Sequence, residues 1–251
     1  MLEYTNCHSA LKGDAQKMTG LDVSNAPLRS HGDVICDFLD LKGKHVVDVG
    51  CGAGRLTRTM TQMGATVVGI DPGTRQLEKA RAAETIGSER FIEATAEELP
   101  VDDQSVDVVV FFNSLHHVPM EGMQQALVES RRVLRDGGAL YIAEPMAQGP
   151  KFEMAKPFND ETVVRAEAYR VIKSAGAIGF REQHETVYTT DISYTDFESF
   201  RESSTSIDPV REAYFRAHDE ELRQRFEDYA VKRPDGWHFP QFIRVNVLTP
   251  V

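Results

Sequence analysis

The sequence is poor in cysteine and in positive charge, and both shortages exclude classes of protein. Its three cysteines, Cys7, Cys36 and Cys51, are scattered and form no C-x-x-C pair. Neither a disulfide framework nor a structural zinc site is therefore expected. Lysine and arginine number 28 against 39 aspartates and glutamates, a formal net charge of -11. Nucleic acids and anionic membranes bind basic surfaces, so neither is an expected partner.

The sequence also shows no signal peptide, no apolar run of transmembrane length and no internal repeat or interdomain linker. We therefore expect a soluble cytoplasmic protein. Its 251 residues fit one α/β domain with insertions, and a hydrophobic fraction of 41% is enough for a full core.

A buried strand, a glycine turn and a helix start are predicted within residues 45–57. β-branched residues precede Asp48, and Gly50, Gly52 and Gly54 follow it at alternate positions. Glycine permits positive φ and lets a ligand approach bare backbone, and a helix start offers free N–H groups. The pattern predicts a nucleotide-like ligand at the carboxyl end of the strand, although a plain strand–helix turn has the same pattern.

A second predicted strand, residues 65–70, ends on Asp71. A carboxylate there lies at the tip of the neighbouring parallel strand and can accept hydrogen bonds from a ribose diol. The alternative is that Asp71 only caps the next helix. The glycine spacing differs from that of dinucleotide-binding loops, and Asp48 would repel a pyrophosphate. An acid at this place suits a cofactor with a cationic amino-acid tail.

These motifs resemble those of class I S-adenosylmethionine-dependent methyltransferases, whose first motif is the acid-x-Gly-x-Gly-x-Gly of Asp48 to Gly54. More narrowly, the chain is similar to the branch that includes the ubiquinone and menaquinone biosynthesis methyltransferases, and the similarity extends from Val46 to Pro145. It implies a Rossmann-like, doubly wound α/β fold with a seven-stranded sheet. That sheet is expected to be mostly parallel with an antiparallel last strand, and to carry a helical N-terminal lid and a helical insertion before the last strand.

The same resemblance implies a single methyltransferase domain over residues 1–251. Its parts are an N-terminal lid or flank (1–40), a cofactor-binding core (41–145), and substrate-side helices with the last strands (146–251). The helix from Met123 is predicted to end at Gly137 and Gly138 in a left-handed cap. One long charged helix is predicted over 210–229.

Several positions are implied as contacts of S-adenosylmethionine. Ala96 and Glu97 are expected beside the adenine, and Asn113 near the methionine part. Thr95 stands where the family usually has an acid that bonds the adenine amino group, so a hydroxyl or water is expected to substitute. No metal is required. The predicted cofactor-binding residues are Arg29, Asp48, Gly50, Gly52, Gly54, Asp71, Pro72, Ala96, Glu97, Asn113, Ser114 and Leu115.

His116 and His117 are the predicted catalytic residues, with a slight preference for His116. Their alternative is a packed, structural role. Consecutive histidines are expected to point apart, which argues against a two-histidine metal site. Further candidates are His8, His184 and His238 as bases, and Tyr4, Tyr188 and Glu144 for orienting a substrate.

The function implied is transfer of a methyl group from S-adenosylmethionine to a small-molecule acceptor by in-line displacement. An oxygen or nitrogen acceptor would gain from a histidine base, whereas a thiolate, an arsenical or a stabilised carbanion needs none. Two alternatives stay open: a regulatory protein that keeps the fold and cofactor site, and a nicotinamide-dependent oxidoreductase. A monomer or a homodimer is expected. The acceptor and the atom that is methylated are not determined by the sequence.

Overall fold

The computed structural model describes residues 23–208 and 210–251, and the chain divides into two compact units. The larger unit contains the cofactor-binding core, and the smaller unit contains most of the segment after Pro145. The single domain over 1–251 and its three parts stay predictions. The larger unit comprises Ser30–Glu144, Val164–Thr186 and Arg244–Val251, and the smaller one comprises residues 23–29, Pro145–Val163 and Val187–Ile243.

A mostly parallel eight-stranded sheet with antiparallel strands near the C-terminus confirms the predicted Rossmann-like α/β fold. Its strands are hydrogen-bonded in the order β3-β2-β1-β4-β5-β8-β6, and β7 pairs with β8. The eighth strand, β7, is too short for its periodicity to be visible in the sequence. The strands are β1 (His45–Val49), β2 (Thr66–Asp71), β3 (Arg90–Glu93), β4 (Val106–Phe112), β5 (Leu134–Pro145), β6 (Phe180–Tyr194), β7 (Val231–Arg233) and β8 (Gly236–Pro250).

Helices flank these strands, and none of them among the described residues is long and apolar enough to cross a membrane. Ser30 is the N-cap residue of the first helix, and its hydroxyl accepts a hydrogen bond from the Asp33 N–H at 3.1 Å. Such a cap satisfies one of the free donors of a first helical turn. The helices are α1 (His31–Phe38), α2 (Arg55–Gln62), α3 (Thr74–Ala82), α4 (Met123–Val133), α5 (Pro150–Ala155), α6 (Thr162–Lys173), α7 (Phe197–Ile207), α8 (Arg211–Ala217) and α9 (Asp219–Tyr229).

The position of β1 in the sheet defines where a ligand is expected. Its parallel neighbours are β2 on one side, where Val46 pairs with Val67, and β4 on the other, where Val46 pairs with Val108. Most residues of β1 and β4 are apolar and buried on both faces of the sheet, as is typical of central parallel strands. Because the chain order reverses between β1 and β4, their carboxyl ends border the crevice in which α/β proteins bind ligands.

The predicted helix cap at Gly137 and Gly138 is wrong. Helix α4 ends at Val133, and the glycines lie inside β5, where the register against β4 shifts. Gly137 has a φ of 75°, and a Cβ on Gly138 would lie 2.9 Å from the Asp107 carbonyl oxygen. The two glycines therefore allow an irregular stretch of strand to approach β4 closely.

The single helix predicted over 210–229 is also wrong, since α8 and α9 are separate. The helical conformation is interrupted at His218, which has φ -126° and ψ 27°. The His218 N–H closes α8 by donating to the Tyr214 carbonyl at 3.0 Å. Acidic residues fill the first turn of α9, where they favour a new helix start because the N–H ends of helices attract negative charge.

Candidate cofactor and active site

An open cavity of about 480 Å³ lies at the carboxyl ends of β1, β2 and β4 in the larger unit. The ends of β1 and β2 and the loops after β1, β2, β3 and β4 supply its lining. Eight of the predicted residues therefore lie around one space, although in the sequence they are spread from Gly50 to His117. They are Gly50, Asp71, Pro72, Ala96, Glu97, Asn113, Ser114 and His117.

Asp71 holds the glycine loop while lining the cavity. Its Oδ2 accepts a hydrogen bond from the Gly52 N–H at 2.8 Å, and its Oδ1 accepts one from the Gly73 N–H at 2.7 Å. Gly73, not Asp71, is the N-cap residue of α3. Each carboxylate oxygen can accept a further hydrogen bond, so the side chain remains able to bind a diol at the cavity.

The three glycines of the loop all have positive φ, at 73° for Gly50, 54° for Gly52 and 76° for Gly54. A Cβ on Gly50 would lie 2.4 Å from the Ser114 Cβ, and one on Gly54 would lie 2.6 Å from the Phe91 ring. Apart from its chain neighbours, no described residue has an atom within 4 Å of the place where a Gly52 Cβ would be. The outer glycines are thus needed for close packing, and the middle one leaves its surroundings open.

Asp48 is buried beside the glycine loop and is not among the residues that line the cavity. Its Oδ2 accepts a hydrogen bond from the Thr57 hydroxyl at 2.7 Å. Burial, with the negative charge of Asp71, raises the pKa of Asp48 to about 6, although the Thr57 hydrogen bonds act in the opposite direction. A contact between Asp48 and a cationic cofactor tail stays a prediction.

Asn113 follows β4 with a φ of 53°, a conformation that non-glycine residues seldom adopt. Its N–H donates to the Ala143 carbonyl at 2.8 Å, which fixes the backbone. Asn113 lines the cavity, and its side-chain Oδ1 is buried without a hydrogen-bond partner among the described residues. An unsatisfied buried acceptor at a cavity fits a ligand that brings a donor, such as the amino group of an amino-acid tail.

Glu144, at the end of β5, organises the segment that follows Asn113. Its Oε1 accepts hydrogen bonds from the N–H groups of Ser114 at 3.1 Å and Leu115 at 2.8 Å. Its Oε2 pairs with Nδ1 of His116. Burial alone would raise the pKa of Glu144, but the charge and hydrogen bond of His116, with the Leu115 N–H, hold that pKa below its usual value. An ionised carboxylate only accepts, so Nδ1 of His116 carries a proton.

The rings of His116 and His117 lie 4.0 Å apart between centroids, tilted by 42°. The expectation that consecutive histidines point apart is therefore wrong. These residues lie in a 3-10 turn, Leu115–His117, in which neighbouring side chains diverge less than on a strand. His116 is buried and does not line the cavity, whereas His117 is exposed and lines it.

The other predicted residues lie apart from this lining. Gly52 and Gly54 belong to the loop after β1, Asp48 lies within β1, and Leu115 is buried in the 3-10 turn. Arg29 belongs to the smaller unit, where its N–H donates to the Thr189 carbonyl at 2.9 Å. A role for Arg29 toward the cofactor stays a prediction. Tyr4 and His8 lie outside the described residues.

Three further candidates have surroundings that explain them without a ligand. His184 is exposed, with its ring 5.4 Å from that of Phe38. In the smaller unit, His238 pairs through Nδ1 with Asp191 at 2.7 Å and through Nε2 with Asp235 at 3.0 Å. Tyr188 is buried, which raises the pKa of its hydroxyl.

Some cavity residues were not singled out from the sequence. Thr95 was noted only for departing from the family pattern, and its exposed side chain lies at the lining. The rest are small or apolar, and their only signal is that each adjoins a predicted residue or follows the 3-10 turn. They are Val49, Ala94, Val118 and Pro119.

The residues present fit S-adenosylmethionine. Asp71 can accept hydrogen bonds from a ribose diol, and the apolar side chains of Ala94, Ala96 and Val118 can lie against a planar base. The unsatisfied Asn113 Oδ1 is an acceptor for an amino group. An open Gly52 allows close approach to the loop. The fit thus rests on groups spread around the whole cavity.

Comparison with known proteins supports this assignment. Residues 47–142 match the methyltransferase domain family. An uncharacterized methyltransferase of Mycobacterium tuberculosis is 38% identical over 105 residues, covering 41% of this chain and 40% of that protein. A ubiquinone biosynthesis O-methyltransferase of Hahella chejuensis is 37% identical over 124 residues, covering 47% of this chain and 51% of that protein. The chain thus spans about half or less of the length of these relatives.

A solved structure extends the likeness of fold. A protein from Bacillus halodurans, assigned as a methyltransferase, superimposes with a TM-score of 0.60 at 19% identity, over 89% of this chain and 100% of that one. The match over residues 47–142 bears out the resemblance to class I S-adenosylmethionine-dependent methyltransferases and the expected cofactor, and the solved structure bears out the fold.

Proposed function

We propose that the protein transfers a methyl group from S-adenosylmethionine to a small-molecule acceptor by in-line displacement, with S-adenosylhomocysteine as the product. The observation that carries this proposal is the convergence of Asp71, Asn113 and His117 on one cavity beside the glycine loop. When bound, the cofactor supplies an activated sulfonium methyl group. The protein then has to align the acceptor and exclude water.

His117 is the proposed proton acceptor at the cavity. It is exposed there, and its ring lies against that of His116, which is buried and paired with Glu144. An oxygen or nitrogen acceptor would lose its proton to His117 as the new bond to the methyl carbon forms. His116 is a positioning residue, because Glu144 fixes its tautomer and orientation. A thiolate acceptor would make His117 dispensable.

The first experiment is calorimetric titration of the full chain with S-adenosylmethionine and S-adenosylhomocysteine. Asp71→Ala removes both acceptors of the Gly52 and Gly73 N–H groups, and we expect binding weaker by about 1–3 kcal/mol. Asp71→Asn keeps one acceptor oxygen and should bind with intermediate affinity. If well-folded wild-type protein binds neither compound, the proposal fails. The same titration with reduced nicotinamide dinucleotide tests the oxidoreductase alternative.

Transfer of a labelled methyl group to a panel of small phenols, amines and thiols then distinguishes an enzyme from a regulatory protein that only binds the cofactor. His117→Gln should lower turnover of an oxygen or nitrogen acceptor on the order of a hundredfold while cofactor affinity is kept. The matched control is His45→Gln, an exposed histidine at the amino end of β1. Equal turnover by His117→Gln and His45→Gln would refute the role of His117.

The remaining expectations about partners are part of the same proposal. The excess of acidic residues supports a small-molecule acceptor over nucleic acid or an anionic membrane. A cytoplasmic location stays a prediction. So does the monomeric or homodimeric state, which analytical ultracentrifugation can measure.

A further inference from the structure

Arg244, on β8, is a buried cation whose hydrogen-bonding capacity is unused. Its residue is 4% exposed, and its guanidinium lies over the Tyr169 ring, 3.6 Å from the centroid. Within the described parts of the chain it makes no hydrogen bond and no ion pair within 4.0 Å. The Nε is fully enclosed without a partner, and the terminal nitrogens, also without one, are not fully enclosed.

Such an arrangement needs an explanation, because burying a charge is costly unless it is paired and hydrogen-bonded. Arginine stays protonated in proteins, although burial lowers the pKa of Arg244. Stacking on Tyr169 compensates part of the cost and holds the plane of the guanidinium in one orientation. It does not satisfy a single N–H donor.

The carboxylates around Arg244 are already occupied by other donors. Glu182 accepts from Asn246 Nδ2 at 2.7 Å, and Glu185 accepts from the same nitrogen at 3.0 Å. Lys173 pairs with both of these glutamates. These groups therefore stabilise the positive charge from a distance and leave its donors unused.

Arg244 lies on β8, which pairs with β5, the strand that carries Glu144. The charge of Glu144 acts on Arg244, and the same carboxylate pairs with His116 and interacts with the charge of His117. The guanidinium therefore lies on the strand next to the one whose Glu144 positions His116, the neighbour of the proposed proton acceptor. A planar guanidinium whose donors form a fixed fork is suited to binding an oxyanion in a bidentate manner.

We infer that Arg244, stacked on Tyr169, binds a carboxylate or phosphate group of the methyl acceptor, so that the acceptor is an anionic small molecule. This inference rests on the proposed function. Because stacking on Tyr169 sets the plane of the guanidinium, the anion binds in a defined orientation and orients the rest of the acceptor. Arg244 is then a determinant of specificity.

The test compares three small probes of similar shape: benzoate, phenyl phosphate and the uncharged benzamide. Calorimetric titration of the full chain, with and without saturating S-adenosylhomocysteine, measures their affinities. We expect at least one of the two anions to bind wild-type protein about tenfold or more tightly than benzamide. The choice between benzoate and phenyl phosphate then tells a carboxylate from a phosphate.

Arg244→Gln should lower the affinity for that anion to the level of benzamide, and Arg244→Lys should keep only part of it, since lysine has no fork of donors. The matched control is Arg181→Gln, an exposed arginine on β6, which should bind like wild type. Unchanged affinity for S-adenosylhomocysteine in each variant shows that the fold and cofactor site are intact.

Two results would overturn the inference. One is wild-type protein that binds benzamide and both anions equally, a comparison that needs no variant. The other is an anion preference that persists in folded Arg244→Gln. Failure of the proposed function gives a different result, namely wild-type protein that does not bind S-adenosylhomocysteine, whatever its preference among the probes.

Discussion

Asp48 and Glu144 are both buried carboxylates, at 1% and 2% exposure, yet their pKa values move in opposite directions. Asp48 has the Thr57 hydroxyl as its partner and the negative charge of Asp71 nearby, so burial dominates and its pKa rises to about 6. Glu144 receives two backbone N–H groups and faces His116. The number and charge of the donors therefore decide the outcome at each residue.

The raised pKa of Asp48 predicts a cost in stability at neutral pH. An unfolded aspartate has a pKa of about 3.9, so the folded protein binds this proton more tightly than the unfolded chain does. The cost is absent below pH 3.9, grows as the pH rises, and is complete above about 6. A difference of this size corresponds to on the order of 3 kcal/mol. Asp48→Asn should therefore raise the free energy of unfolding by about 1–3 kcal/mol at pH 7.

Urea unfolding of wild-type protein and Asp48→Asn between pH 4 and pH 7 checks this prediction. The advantage of the variant should increase up to about pH 6 and then stay level. Asp136→Asn, at an exposed position in the irregular part of β5, serves as the control. An advantage of Asp48→Asn that does not change with pH would mean that the proton on Asp48 is not responsible.

At the scale of elements, the loop between β1 and α2 combines two uses of glycine. Positions 50 and 54 require glycine for steric reasons, because a Cβ on Gly50 would collide with Ser114 and one on Gly54 with Phe91. Gly52 is limited only by its backbone conformation. Gly43, in the turn before β1, is limited in the same way: its φ is 73°, and among the described residues only its chain neighbours come within 4 Å of a Cβ there.

This similarity yields a matched pair of variants. Gly52→Ala and Gly43→Ala should each lower the free energy of unfolding by about 1 kcal/mol, because alanine is strained at positive φ. Only Gly52→Ala should weaken binding of S-adenosylhomocysteine, by about tenfold or more, because its methyl group would occupy space that the ligand needs. Urea unfolding and calorimetric titration measure the two effects. Wild-type affinity in Gly52→Ala would show that no ligand approaches this backbone.

At the scale of the whole molecule, the two compact units provide a test of where the ligand acts. All residues that line the cavity belong to the larger unit. A ligand that binds only the folded state stabilises it, by about 2.7 kcal/mol at a hundred times its dissociation constant. S-adenosylhomocysteine should therefore raise the melting temperature of the transition that includes the larger unit.

Differential scanning calorimetry of the full chain, with increasing S-adenosylhomocysteine, measures this shift. The Asp71→Ala variant should show a smaller shift at the same ligand concentration, because its affinity is lower. A melting temperature that does not respond to saturating ligand would mean that binding, if present, does not involve the folded larger unit.

Much of the cofactor side of the site was predictable, because it depends on short segments. A β-branched strand followed by alternating glycines fixes a strand, a loop and a helix start. The acid at the end of the next strand follows because parallel strands present their carboxyl ends at one edge of the sheet. Asp71 and Asn113 therefore line one cavity, as expected from their places at strand ends.

Predictions failed where contacts between distant segments override local preference. Gly137 and Gly138 look like a helix cap but lie in β5, in the irregular stretch between Leu134 and Ala139, the flanking residues that pair with β4. His116 and His117 look alike in the sequence. Glu144, 28 residues from His116 in the sequence, pairs with the buried His116, whereas His117 is exposed at the cavity.

The sequence by itself determined the class of fold and the nature of the cofactor, because periodicity, glycine spacing and an acid at a strand end act over a few residues each. The packing of distant segments, in contrast, sets which histidine lies at the cavity and buries Arg244 over Tyr169, where it makes no hydrogen bond to the described residues. Those relations join residues that are far apart in the chain, and burial, charge and hydrogen bonding between such residues are set only once the strands and helices have packed together.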